Sequence, residues 1–289
     1  MEYGIALYSI HDVMKEGVPK AVDVAAELGY SFVEPCGSFT NKEDQLSLKA
    51  SLEKNQLKCN SMHTIWQSLL PDQIGTTIDM YHTIGCDSFV VPVFFPNSKE
   101  EITEFLKTVN DAKKTLDSEG IKIYYHNHLH EVYENKFGIT VLDALRDYTD
   151  INFEIDTYWA FEGYLQVLAG VKGHVGTAKD YEIRTEYVLE AAADVLKLME
   201  QLKDRVNFIH LRDGDGYSTP MPLGRGIAPL EYIYTKARDL GFRVMYEGEP
   251  FGHGIEYAKI SLEKMKSLEE NIFRQRPKAD FSREALKIF

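Results

Sequence analysis

Eight short β-type runs alternate along the chain with amphipathic stretches of helical period, and this rhythm limits the fold more than any other feature. The runs are GIALYS (4–9), SFVEPC (31–36), KCNSMH (58–63), SFVVPV (88–93), KIYYHNH (122–128), NFEIDT (152–157), NFIHLRD (207–213) and RVMYEGE (243–249). Between them lie segments such as ITEFLKTVNDAKKTLDSEG, which puts Ile102, Phe105, Leu106, Val109, Ala112 and Leu116 on one stripe and ends at Gly120. That is the pattern of a helix laid over a sheet and stopped by glycine. Eight such units in 289 residues, with no Pro- or Ser-rich linker, predict an α/β fold: a closed (β/α)8 TIM barrel as a single domain over residues 1–289. No GxGxxG follows the first run, so an open dinucleotide-binding sheet loses its main support.

The rhythm breaks once, between the sixth and seventh runs. There GVKGHVGTAKDYEIRT (170–185) is an extra segment at the barrel end where sites form. It is expected to be a lid, an oligomer contact or a plain surface loop, which leaves a homo-oligomer open.

Charge and hydropathy then exclude several partners. A net charge of −13 repels a phosphate backbone, so nucleic acid is not expected as a ligand. No run approaches the roughly 18 apolar residues of a membrane span, and MEYGIALYSIHDV lacks a basic stretch followed by an apolar one, so a cytoplasmic protein is expected. Cys36, Cys59 and Cys86 are odd in number and show no CxxC spacing, as suits reduced core thiols.

Polar residues gather where the runs end. The fifth run carries His126 and His128, the sixth Glu154 and Asp156, the seventh His210 and Arg212, and the eighth Glu247 and Glu249. Each pair is spaced i, i+2, which turns both members to one side of a strand. Earlier runs add Glu34 and His63. A lone strand-end His or Asp is usually a hydrogen-bonded rim residue, whereas four successive ends so loaded argue for a site. Imidazoles with carboxylates suit one divalent metal ion, Mn²⁺, Co²⁺, Zn²⁺ or Mg²⁺.

Same-side strand neighbours stand about 6.6 Å apart, while ligand nitrogens come within about 2.1 Å of an ion. One of His126 and His128 is therefore expected to ligate and the other to contact substrate or orient a ligand, with His130 and Glu131 in support. Trp66, Tyr158, Trp159 and Phe251 fall just past strand ends, as sugar-site walls or as loop anchors. LGRG (223–226) lacks the following Lys and Ser/Thr of a phosphate cradle.

At these residues the chain resembles the sugar phosphate isomerase/epimerase family, the xylose isomerase-like barrels that include keto-sugar epimerases, hydroxypyruvate isomerase, inosose dehydratase and endonuclease IV. YYHNHLHE, FEIDTYWAFEG, FIHLRD, PLGRGIAPLEYI and MYEGEP carry the resemblance, in the order and spacing of that family's later strands. It implies a single metal held by Asp156, His210, Glu247 and a residue of the fifth strand. The epimerase branch has a glutamate there, both ligand and base; this chain has HNH, so His126 or His128 takes the place, His126 being the first polar residue at the strand end. The change counts against a symmetric two-glutamate epimerisation. Glu247 remains as the catalytic carboxylate, with His126 at the twin position and Glu249 as a further ligand or behind one. Arg212 is implied to contact substrate oxygens, a salt bridge to Asp213 or to a neighbouring strand end being the alternative, with Glu34, His63, Trp66 and Trp159 around the substrate.

The function implied is a metal-dependent isomerase or epimerase acting on a small sugar or keto-sugar through an enediolate. A dehydratase of a cyclitol or keto-sugar is the alternative, and a non-catalytic sugar-binding barrel the alternative of another class. The endonuclease branch needs several metals, more early histidines and a basic groove, against which the charge of −13 argues.

Overall fold

Strand register carries the architecture. A computed structural model describes residues 2–37, 39–171, 181–249 and 252–275. Its strands are β1 (Gly4–Ala6), β2 (Phe32–Glu34), β3 (Lys58–Cys59), β4 (Met62–His63), β5 (Ser88–Val91), β6 (Lys122–His126), β7 (Asn152–Asp156), β8 (Val206–Leu211), β9 (Asp213–Gly214), β10 (Pro220–Met221) and β11 (Arg243–Tyr246). The main sheet runs β3-β2-β1-β11-β8-β7-β6-β5-β4, and its pairings are parallel.

The third expected strand, 58–63, is split. β3 pairs with β2 while β4 pairs with β5, so one chain segment supplies both edges and closes the barrel. The seam is held by Asn60 N donating to Val33 O at 3.0 Å and His63 N donating to Pro35 O at 3.0 Å. β9 and β10 form a separate antiparallel hairpin beyond β8.

The helix Lys99–Ser118 shows how the outer layer forms. Ser98 accepts from Glu101 N at 3.1 Å, and Glu101 reaches back to Asn97 N at 2.8 Å, so the first turn's free amides are satisfied. Ile102, Phe105, Val109, Ala112 and Leu116 are buried against the sheet. Gly120, at φ +76°, takes the left-handed turn that ends the element.

Inside the barrel, period-two alternation produces two layers of opposite character. Phe32, Val90, Tyr124, Phe208 and Met245 form an apolar floor. Two residues further along four of those strands stand Glu34, His126, His210 and Glu247, all buried. A Cβ on Gly4 would lie 2.0 Å from the Phe32 ring, so glycine at this position lets that ring fill the floor. Residues 172–180, most of the extra segment, lie outside the described residues, as does Phe251.

Candidate active site

The strand ends bring four side chains into one buried ring. His126 ends β6 and Asp156 ends β7, in register with Glu154 and His210 respectively, and Glu247 follows β11 with its N–H on Leu211 O at 3.2 Å. One donor atom from each of His126, Asp156, His210 and Glu247 lies within 4.8 Å of the others. His126 Nε2 is 3.3 Å from Glu247 Oε2 and 3.7 Å from Asp156 Oδ2, and His210 Nδ1 is 2.9 Å from the same Glu247 oxygen. His126 Nδ1 stands 3.1 Å from Pro92 O. A carbonyl only accepts, so Nδ1 carries the proton and Nε2, which has no hydrogen-bond partner, is the atom offered to an ion. These four residues fit a divalent metal of mixed nitrogen and oxygen preference.

Arg212 braces the ring from outside. Its Nε donates to Asp156 Oδ2 at 3.0 Å, its Nη2 to Glu247 Oε2 at 2.6 Å, and its Nη1 lies 3.3 Å from Glu249 Oε1. The guanidinium sits 4.7 Å over the Trp159 ring. Asp156 keeps its other oxygen for Trp159 N at 2.8 Å, capping the helix Thr157–Leu168. With both imidazoles deprotonated to receive an ion, one guanidinium against two buried carboxylates leaves a net negative charge in the ring, which favours a cation.

Glu34, His63 and Glu154 form a second group against the other side of His210. His63 Nε2 lies 3.0 Å from Glu34 Oε1 and 2.8 Å from Glu154 Oε2. His210 Nε2 is 3.1 Å from Glu34 Oε1 and 3.2 Å from Glu154 Oε1. Ser61 Oγ donates to the other Glu34 oxygen.

A cavity of about 280 Å³ opens onto this assembly, walled by His63, His126, His128, Glu247 and Glu249 with Tyr8, Cys36, Ile65, Pro92 and Val93. A larger hollow of about 550 Å³ meets Ser88, Lys122, Val206 and Arg243, the first residues of their strands. It lies at the opposite end of the barrel from the strand ends that carry sites in this fold.

The sequence profile of the xylose isomerase-like TIM barrel matches residues 22–271. The chain belongs to the xylose isomerase-like TIM-barrel family. No curated protein matches it significantly. Among solved structures, a sugar phosphate isomerase/epimerase from Parabacteroides distasonis is 19% identical, covering 97% of this chain and 99% of its own, with a TM-score of 0.65. A D-allulose 3-epimerase from Methylomonas sp. is 14% identical over 93% and 98%, TM-score 0.59. A probable 3-DHS dehydratase from Bacillus anthracis is 13% identical over 96% and 100%, TM-score 0.62. At these identities the likeness is one of fold.

Within this xylose isomerase-like barrel, the residues singled out by sequence divide by place. His126, Asp156, His210 and Glu247 share the ring, and His63, Glu34 and Arg212 touch it or its neighbouring group. His128 stands apart from the ring. Asn127 exchanges hydrogen bonds of 3.1 Å with the backbone of Asp156 on both sides, so β6 ends at His126. His128 then caps a 3-10 turn and stacks 5.8 Å from Trp159 on the pocket wall. Glu249 reaches Arg212 and the pocket.

Trp66 does not line the pocket. Its ring packs edge-on against Phe94 and Phe105, at 6.2 and 5.6 Å, because a 3-10 turn at Trp66–Leu69 folds it over the helix layer, and Ile65 takes the wall position instead. Trp159 is a platform under Arg212 rather than a wall. Arg212 bridges the neighbouring strand ends, through Asp156, Glu247 and Glu249, and not Asp213. The Asp213 carboxylate instead accepts the N–H groups of Gly214, Gly224, Gly226 and Ala228, at 2.9–3.1 Å, and so fills the backbone nest of the LGRG loop itself. Glu154 was visible only as the i, i−2 partner of Asp156, and Tyr8 and Ile65 carried no polar signal.

The ring's electrostatics predict how an ion loads. Burial pushes His126 down, but the carboxylates of Asp156 and Glu247 prevail and hold it up at about 10. His210 is likewise driven well above the ordinary histidine range, against burial, by Glu154, Glu247 and Glu34. Both therefore hold protons at neutral pH that an ion must displace. Manganese affinity is expected to rise between about pH 6 and about pH 9, with proton release measurable by calorimetry in buffers of different ionisation enthalpy. Affinity that falls over that range would contradict the assignment.

Proposed function

We propose that the protein is a divalent-metal-dependent isomerase of a small, uncharged keto-sugar, moving a proton between adjacent carbons from one face. The observation that carries this reading is the pocket wall. Its two carboxylates, Glu247 and Glu249, stand on one strand end, and among the described residues lining it there is no Lys or Arg. A phosphorylated sugar would meet these carboxylates without a free cation, since Arg212 is already engaged by Asp156, Glu247 and Glu249. The D-allulose 3-epimerase from Methylomonas sp. has been crystallised with D-allulose, which supports a neutral sugar of that kind.

An ion held by His126, Asp156, His210 and Glu247 would polarise the substrate carbonyl and acidify the neighbouring C–H. Glu247 is a poor base. Burial raises it, but Arg212, His210 and His126 hold its carboxyl well below the usual range. Glu249 touches Arg212, which stands outside the ring, and faces the pocket, so it is the better acceptor for the substrate proton. It takes that proton from one carbon and returns it to the next. Epimerisation needs a second base on the opposite face, and the residue at that place, His126, turns its Nε2 to Asp156 and Glu247. A one-sided carboxylate also suits loss of a β-hydroxyl, which keeps dehydration as the second reading.

His128 presents an imidazole kept neutral by burial and by the charges of His126 and Arg212, a contact for a substrate hydroxyl. His126→Ala is expected to lose the ion. His128→Ala should keep it and lose about 10- to 100-fold in turnover or affinity; identical behaviour of the two variants would contradict this division. The function itself is tested with neutral ketoses and their phosphate esters, with and without chelator. Turnover of a neutral ketose that stops with chelator supports the reading, and preference for the phosphate esters overturns it.

A further inference from the structure

We propose that the hollow at the foot of the barrel, opposite the metal ring, is a binding site for a small phosphate monoester. It is independent of the substrate assigned above and shares no lining residue with that pocket.

Strand period sets its position. The inward-facing residues of β6 and of β11 with its continuation read Lys122, Tyr124, His126 and Arg243, Met245, Glu247, so the side chain two residues before each floor residue meets the hollow. Four residues of strand put Lys122 and Arg243 about 13 Å from His126 and Glu247 along the barrel. The apolar floor lies between them, and Tyr124 and Phe208 of that floor line the hollow. Its volume of about 550 Å³ falls within the roughly 300–1,000 Å³ of small-molecule sites.

Charge selects the occupant. The chain carries a net charge of −13, yet this wall sets Arg243, Lys122 and Lys203 against the single carboxylate of Asp87. The upper pocket is the reverse, with Glu247 and Glu249 and no Lys or Arg on its described wall. Arg243 is the anchor. Its guanidinium lies 4.5 Å over the Phe32 ring, and among the described residues no carboxylate stands within ion-pair distance of it; Glu2, which feels its charge, is taken by Lys58 at 2.9 Å. Stacking fixes the guanidinium plane and leaves its N–H edge for an anion, where two parallel hydrogen bonds match phosphate oxygens. Lys122 shares Asp117 with Lys113, and Lys203 shares Glu200 with Lys236, so each of these carboxylates is divided between two cations. Three cations on one wall suit a dianion better than a monocarboxylate. Asn60, Ser88 and Asn207 add neutral hydrogen-bonding groups for the hydroxyls of the ester's alcohol part, and Asn207 is held in place by donating to the Tyr124 hydroxyl at 2.5 Å.

The test is calorimetric titration of the metal-loaded chain with glycerol 3-phosphate, with glycerol as the neutral control. One saturable site per chain is expected, weakened by added salt and silent to glycerol. Adding chelator, which removes any ion and any phosphate held on it, should leave the affinity unchanged. Arg243→Met keeps an apolar chain against Phe32 and removes the guanidinium, so it should bind about 10-fold more weakly or worse. Should circular dichroism show R243M unfolded, Lys122→Gln reads the same wall, with a loss of about 2- to 5-fold. Wild-type affinity in the folded variant, binding of glycerol alone, binding abolished by chelator, or no saturable binding at all overturns the site. The isomerase reading stands or falls separately, on turnover of neutral ketoses.

Discussion

Asp156→Asn is expected to strip the ion of the ring and with it all turnover, while the barrel stays folded. The substitution keeps Oδ1, which accepts from Trp159 N at 2.8 Å and caps the helix Thr157–Leu168, so the local fold retains its anchor. What it removes is the charge and one oxygen lone-pair set facing His126 and Arg212. Arg212 then loses one of its three carboxylates, and with both imidazoles deprotonated to receive an ion the ring no longer carries a net negative charge to hold it. Metal content and activity should fall together. A D156N protein that kept its ion and full activity would remove Asp156 from the site.

Glu249→Gln is expected to separate binding from chemistry. The amide still fills the pocket wall and still accepts from Arg212, and the ring of His126, Asp156, His210 and Glu247 is untouched, so metal content should not change. Loss of the proton acceptor should lower kcat by about 10²–10⁴ with little change in KM. Glu247→Gln is the contrasting variant. Glu247 Oε2 serves His126, His210 and Arg212 at once, so its loss should cost the ion itself. Full turnover in E249Q would transfer the role of base to another group.

Much of this was legible because strand period and barrel geometry are both rigid constraints. Glu34, His126, His210 and Glu247 each stand two residues past an apolar floor residue, and that spacing is written in the chain. The choice between His126 and His128 was not. It depends on where β6 stops, and that is decided by the Asn127 amide locking onto the Asp156 backbone, a contact between residues 29 apart. The split of the third strand was hidden for a similar reason: KCNSMH reads as one run, yet its halves face different neighbours at the closing seam. Trp66 was misplaced because a 3-10 turn, which has no strong sequence signature, swings its ring onto Phe94 and Phe105. Glu154 pairs with Asp156 in the sequence, but its partnership with Glu34 and His63 arises only when β2, β4 and β7 meet across the barrel.

The most direct test of the account is hydrogen exchange at substrate carbon. Metal-loaded protein is incubated with a panel of neutral ketoses in ²H₂O and followed by ¹H NMR. The account predicts that a C–H next to the carbonyl exchanges, that the deuterium appears on the adjacent carbon of an aldose product, and that chelation or Glu249→Gln stops both. Deuterium returning to the same carbon with inverted configuration would indicate epimerisation, and new olefinic signals dehydration. No exchange at any carbon of any ketose, with the ion bound, would contradict proton abstraction at this site.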